Sequence, residues 1–466
     1  MEIELGSSSR VLRVAVVGSG PAGFYAAESV LGSGISVEVD MFDRLPAPFG
    51  LVRYGVAPDH GSIKRIIARY EKTASRSEFM FFGNVDVGED VAVDELHHYY
   101  DALIFAGGAS ADRRLGIPGE DLPRSYTATD FVAWYNGHPA YRQRQFDLSG
   151  EVAIVIGQGN VAVDVARILS RPVDELARTD IAAHALEQLA ESAVREVHMI
   201  GRRGPAQAAF TGPEVKELGR LNGCRLVVNP ADLELNATSR AELEDPGRRE
   251  RRKNYELLTV AAAATSDLDS GDGDNPHRTL AIEFFKSPKE LVGGNGVEGV
   301  VLERNELVGG AGSQKAQGTG ENSLLPCDMV FRSVGYRGVA TKGVPFDEAR
   351  GVIPNDRGRV LDGGTPAPGM YTAGWIKRGP SGVIGTNKPD AIETVGCLLE
   401  DVRGLPACDE PSRDAVRELL SERAIRVVDY PAWRRIDAAE IERGKAVGKP
   451  REKFVTVDEM LEAAGV

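Results

Sequence analysis

Twice along its length the chain runs from an apolar strand, through glycines, straight into a helix-forming stretch. The first copy is RVAVVGSGPAGFYAAESVL (13–31) and the second is EVAIVIGQGNVAVDVARIL (151–169). Gly18, Gly20 and Gly23 form a G-x-G-x-x-G fingerprint with Ala22 inside it. Gly157, Gly159 and Ala162 form its G-x-G-x-x-A counterpart. The first small residue permits a tight turn, the second lets backbone approach a pyrophosphate, and the third lets the helix pack close to the strand. The helix N-terminus then faces the negative charge. The pattern predicts a buried strand at Val14–Val17, a helix at Ala22–Leu31 and a second strand in VEVDMFD (37–43). VREVHMIGRR (194–203) fills that last place in the second copy. Two such units in one chain point to an α/β fold with two Rossmann-like dinucleotide-binding domains.

The copies differ where the second strand ends. In the first that end carries Asp43, an acid suited to the hydroxyls of an adenosine ribose. In the second it carries Arg202 and Arg203, whose fixed, permanently charged donors suit a ribose 2′-phosphate. The loop amides of Gln158, Gly159, Asn160 and Val161 would cradle the second pyrophosphate. One site for a resident redox cofactor and one for a diffusing coenzyme make FAD with NADP(H) the economical pairing. The stretch from Ala162 to Arg202 is about twice the usual gap, and LSRPVDELARTDIAAHALEQLAES (169–192) reads as inserted helix. DALIFAGGA (101–109) reads as a strand ending in small residues that could pass close to a cofactor, or as a plain buried strand with a glycine turn.

Composition excludes other classes. A formal charge of −14 makes the chain a poor generic binder of nucleic acid or anionic membrane. Its 4 cysteines form no C-x-x-C and its 7 histidines no H-E-x-x-H, against a cluster, structural zinc or dithiol site, and no metal is expected. No apolar run of about 18 residues occurs, so no membrane-spanning helix is expected. LPAPFG (45–50) and LGIPGEDLPRS (115–125) read as loops. Ser266–His277 and Val308–Glu321 read as polar, glycine-rich surface excursions without assignable chemistry. The last forty residues or so read as a surface-wrapping segment.

Further stretches carry a family resemblance: PFGLVRYGVAPDH, FFGNVDVG, DFVAWYNGHP, IGRRGPAQAAFT, RSVGYRG, YTAGWIKRGPSGVIGTNK and GKPREK. With both fingerprints, they resemble ferredoxin–NADP+ reductases of the adrenodoxin reductase type from about Val14 to Gly465. The resemblance implies a glutathione-reductase-like two-domain flavoprotein, with an NADP domain (110–335) inserted into an FAD domain (1–109 and 336–466). It places FAD contacts on Ala22, Asp43, Leu51, Val87, Trp375 and the run Gly382, Val383 and Ile384. It places NADP contacts on Gln158 to Val161, Arg202, Arg203, Glu214 and Gly382. His60, with Asp164 or Glu214, becomes the candidate for polar chemistry near the flavin. Read alone, His60 in its Pro-Asp-His turn is a structural histidine. Gly212 and Pro213 precede Glu214 where the family has a helical pair.

GRRERRKNYELL (247–258) is the densest basic cluster, with Arg248 and Arg252 i,i+4 neighbours on a helix, like Arg249 and Lys253. Such a run is ordinarily a solvated face, yet an acidic protein that docks an acidic partner needs a cationic island. The family's docking arginines fall here, which makes Arg248, Arg249, Arg251 and Arg252 candidates. The implied partner is an acidic [2Fe–2S] ferredoxin, reduced one electron at a time after hydride transfer from NADPH to FAD. The family feeds cytochrome P450 or iron–sulfur cluster assembly, is usually monomeric, and works in the mitochondrial matrix or, in bacteria, the cytoplasm. Two alternatives are an NADPH-oxidising module like the glutamate synthase small subunit, disfavoured by the missing cysteine clusters, and a non-catalytic nucleotide sensor.

Overall fold

The computed structural model describes residues 4–268 and 277–466. The chain divides into two compact units. The first comprises Met1–Arg113, Asn136–Arg142 and Gly335–Val466, the second Arg114–Tyr135 and Gln143–Val334.

The first unit is organised by a seven-stranded sheet with Leu12–Val17 inside it. That strand pairs in parallel with Val37–Asp43 on one side and Ala102–Phe105 on the other. Leu12, Val14, Ala15 and Val16 are fully buried, as in a parallel strand covered on both faces, and Arg13 between them is buried on the carboxylates of Glu38 and Asp40. Thr365–Thr372 continues the sheet in parallel beyond Ala102–Phe105, so both ends of the chain build one sheet. The helix Pro21–Leu31 begins with Pro at its first position, where the missing N–H is no loss, and packs against the helix Asn387–Asp401.

The C-terminal segment is not a surface wrap. Trp433 and Ile436 of the helix Tyr430–Ala446, and Met460 and Leu461 of the helix Val457–Ala464, belong to the core. Fully buried Glu440 accepts two hydrogen bonds from the Arg53 guanidinium, at 2.5 and 2.9 Å, and one from the Phe454 N–H at 2.9 Å. Charged residues flank a narrow buried stripe on each helix, which makes the sequence look solvated throughout.

The second unit carries an all-parallel six-stranded sheet in the order Ser125–Thr127, Met329–Arg332, Val152–Ile156, Glu196–Ile200, Arg278–Glu283, Cys224–Val228. The long gap after the second fingerprint is extra helix, at Val173–Leu176 and Ala183–Ala190, and the flanking strands still pair from Val152–Glu196 to Ile156–Ile200. A three-stranded antiparallel sheet (Lys286–Val292, Gly299–Val308, Lys315–Pro326) completes the unit. Val308–Glu321 is therefore largely the turn and second arm of a β-hairpin. The arm is exposed on both faces, so no apolar alternation betrays it. Residues 269–276, within the Ser266–His277 excursion, lie outside the described residues.

Candidate dinucleotide sites

In the first unit the fingerprint loop is shaped for backbone approach. A Cβ on Gly18 (φ +109°) would lie 2.6 Å from the Ala106 carbonyl oxygen, and one on Gly23 only 1.9 Å from that of Gly18. A Cβ on Gly20 would meet nothing within 4 Å. Two glycines are thus demanded by the fold, while the third faces open space over the helix start. That helix has no side-chain cap and no acid in its first turn, leaving its N–H groups to an anion. Asp43 ends the neighbouring strand. It accepts the Ser19 N–H (3.0 Å), the Ser19 hydroxyl (2.5 Å) and the Leu45 N–H (2.9 Å), so the acid also sets the loop. Burial pushes its carboxyl pKa up against the pull of those donors.

Other candidates of this unit gather on the same loop. The Phe49 N–H donates to the Ser19 carbonyl at 3.0 Å, bringing the turn that begins with Leu51 against the fingerprint. Gly374 is so close to Ala22 that a Cβ on it would lie 2.4 Å from the alanine methyl, which seats Trp375 beside the helix start. Trp375 donates to the Ser381 carbonyl at 3.1 Å and packs 5.4 Å from the Tyr336 ring. Val87, with Gly18, Asp43, Arg44 and Lys342, lines a cavity of about 300 Å³. The run Gly382, Val383 and Ile384 is held by Arg378, which donates to the Ser381 carbonyl and to Asn387 Oδ1 (2.9 Å). The Gly374 N–H donates to Asp390 (2.5 Å). Sequence reading missed Arg378, Asn387 and Asp390, though all lie in the quoted GWIKRGPSGVIGTNK stretch or just beyond it. His60 is buried and heads the turn Gly61–Lys64, its N–H donating to Ala57 and its carbonyl accepting from Ile63, both at 3.0 Å.

The second unit repeats the loop with other chemistry. Gly157 (φ +140°) leaves no room for a Cβ beneath the Ser333 carbonyl, Gly159 faces open space, and Ala162 is fully buried against the sheet. The helix Asn160–Ser170 again starts without a side-chain cap or an early acid. Gln158 fills the space a Cβ on Gly201 would take and donates to the Glu283 carbonyl at 2.9 Å. Asn160 accepts the Thr211 N–H at 3.0 Å. These side chains tie the fingerprint to the loop holding Arg202 and Arg203. The Arg202 carbonyl is fixed by Asn305 (2.9 Å) and that of Arg203 by the Phe285 N–H (3.1 Å). Arg202 is exposed and Arg203 half-buried. Burial, then repulsion from Arg202 and Arg251, draws the Arg203 pKa down, with Glu242 opposing.

Asp164 and Glu214 meet on one residue that sequence reading missed. Fully buried Arg167 donates to Asp164 Oδ1 at 2.7 Å and to Glu214 Oε2 at 3.1 Å, with Glu217 at 3.7 Å. An arginine on the apolar side of NVAVDVARIL was the available signal, because a buried guanidinium demands acids. Gly212 and Pro213 form the first turn of the helix Gly212–Leu218, so Glu214 keeps a helical position.

The basic stretch opens the helix Arg249–Leu268, and its arginines divide. Arg248 (3.3 Å) and Arg251 both donate to Glu242 Oε1, a carboxylate 2% exposed. Arg249 and Arg252 are exposed, Arg252 donating to the Leu243 carbonyl at 2.8 Å.

Residues 12–202 match the pyridine nucleotide-disulphide oxidoreductase family. Over nearly its whole length the chain is similar to the mitochondrial NADPH:adrenodoxin oxidoreductase of Arabidopsis thaliana, 44% identical with 98% of this chain and 96% of that protein covered. It is 47% identical to the NADPH-ferredoxin reductase FprA of Mycobacterium tuberculosis, with 96% and 98% covered. The solved structure of that FprA in complex with NADPH superposes with a TM-score of 0.90 at 46% identity, covering 98% of this chain and 100% of that one.

Proposed function

The chain belongs to the family of NADPH:adrenodoxin oxidoreductases and NADPH-ferredoxin reductases, and from that premise we propose how its residues share the work. It is an FAD- and NADPH-dependent ferredoxin reductase, a two-domain flavoprotein oxidoreductase. FAD, when bound, accepts a hydride from NADPH and gives up electrons singly. The observation that carries the assignment of ligands is the opposite charge at two equivalent strand ends.

In the first unit, the open face at Gly20 and the uncapped helix behind it hold the FAD pyrophosphate, and Asp43 takes the ribose hydroxyls. Ala22, Leu51, Val87, Trp375, Gly382, Val383 and Ile384 enclose the rest. In the second, the amides of Gln158 to Val161 hold the coenzyme's pyrophosphate, and Arg202 and Arg203 grip its 2′-phosphate. Asp164 and Glu214, paired by Arg167, fix the helix behind that loop. His60, buried at the head of the turn Gly61–Lys64, is the candidate for polar chemistry near the flavin.

Arg249 and Arg252, exposed on an acidic molecule, steer an acidic ferredoxin. Replacing both with glutamate raises the KM for ferredoxin about tenfold at low salt, leaving dye reduction by NADPH unchanged. Equal loss of both activities removes docking from this face. The enzyme works as a monomer, in the mitochondrial matrix if its host resembles that of the eukaryotic relatives and in the cytoplasm if it is bacterial.

The deciding assay is NADPH-driven cytochrome c reduction by the flavin-loaded protein, with and without a [2Fe–2S] ferredoxin. A large ferredoxin-dependent rate is expected. A flavin spectrum that NADPH fails to bleach contradicts the reading.

A further inference from the structure

Behind Arg203 lies a buried polar network that neither fingerprint explains. Gln207, a few residues beyond the arginine pair, donates to Glu242 Oε2 at 3.0 Å and to Gln314 Oε1 at 3.2 Å. Ser239 joins it, its hydroxyl donating to Gln314 at 2.8 Å. Gln207, Ser239, Glu242 and Gln314 are each 5% exposed or less. Glu242 therefore spends one oxygen on the segment carrying Arg202 and Arg203, and the other on Arg248 and Arg251. Arg248 and Arg251 thus share one oxygen of a single buried carboxylate, with Asp245 a further 3.9 Å from Arg248.

A buried acid that anchors two arginines is an expensive way to build a solvated helix face. It is a reasonable way to aim them at a fixed point, because a preorganised guanidinium loses less entropy on binding a phosphate. Arg248 and Arg251 keep side-chain exposures of 31% and 32%, so their remaining donors reach solvent on the side where the acid is not. Gln207 and Arg251 meet on the two oxygens of Glu242, which joins the segment carrying Arg203 to the basic helix.

We propose that Arg251, oriented by Glu242 and assisted by Arg248, forms a further wall of the 2′-phosphate pocket opposite Arg202 and Arg203. The inference rests on the assignment of that phosphate to the arginine pair. It divides the basic helix into two functions. Arg248 and Arg251 look inward to the coenzyme, while Arg249 and Arg252 look outward to the electron acceptor. Gln207 and Gln314 are positioning residues that hold Glu242, and through it Arg251, in place.

The test is calorimetric titration of the flavin-loaded enzyme with 2′,5′-ADP and with 5′-AMP, which differ only in the phosphate at issue. R251Q is compared with the R202Q R203Q pair, and with R251Q E242Q so that the result does not depend on a weakened buried pair. R251Q weakens 2′,5′-ADP about tenfold and leaves 5′-AMP unchanged, as does R251Q E242Q, while ferredoxin KM stays at the wild-type value. If R202Q R203Q loses 2′,5′-ADP but R251Q keeps it, the third wall is wrong and the arginine pair stands. If neither loses it, the 2′-phosphate assignment itself fails. Equal loss of both nucleotides in R251Q makes Arg251 structural and overturns the proposal.

Discussion

The two fingerprints are the same piece of architecture used twice, and they part at two positions. At the third small residue the first has Gly23, where a Cβ would sit 1.9 Å from the Gly18 carbonyl, and the second has Ala162, whose methyl is buried without conflict. At the end of the next strand the first has an acid bound to its own loop, and the second a pair of arginines braced by a separate network. Strand, turn and helix make a generic pyrophosphate cradle, and the strand end decides which ribose it accepts. On the proposed assignment, the tighter loop belongs to the cofactor that stays and the more cationic one to the coenzyme that comes and goes.

Exchanging the third residues strains that comparison most. G23A must push helix from strand, and the variant is expected to purify with little flavin or to fail to fold. A162G costs only the roughly 1 kcal/mol of a glycine in a helix and keeps NADPH binding. Flavin-to-protein absorbance ratios and melting temperatures check both, and a flavin-replete G23A breaks the distinction.

Removing Arg167 comes next. R167M leaves Asp164 and Glu214 buried without their shared guanidinium and costs about 3–5 kcal/mol in denaturant unfolding. A smaller effect is expected at Glu120, another buried carboxylate of the second unit. Burial pushes its pKa up, but the Leu115 and Gly116 N–H groups and Arg332 more than reverse this, so the pKa is lowered. Ionised Glu120 therefore stabilises the fold above its unfolded pKa, and that stability is lost as pH falls through the folded value. E120Q is expected to cost about 2 kcal/mol at neutral pH. Its gap from wild type should close on acidification, and a pH-independent gap would show that Glu120 acts by shape alone.

Much of this was legible in the sequence because glycine demands are local. Gly18 and Gly157 announce their turns, and an acid or a basic pair at a strand end can be read by counting. What was not legible depends on distant partners. Arg167 looked like one more polar residue on a helix until Glu214, far along the chain, closed on it. Gln314 sits in a polar, glycine-rich turn just before the exposed arm, and only its distant partners Gln207 and Ser239 make it a buried residue. The basic run read as one face, yet Glu242 splits it in two.

The central claim is that charge at equivalent strand ends allots the two cofactors, and coenzyme discrimination tests it most directly. The measurement is the ratio of kcat/KM for NADPH to that for NADH, before and after R202Q R203Q. Loss of two charge-assisted phosphate contacts predicts a fall in that ratio of about a hundredfold or more, with NADH turnover and flavin content unchanged. If both coenzymes lose activity in the same proportion, the arginines hold the loop together and do not read the phosphate.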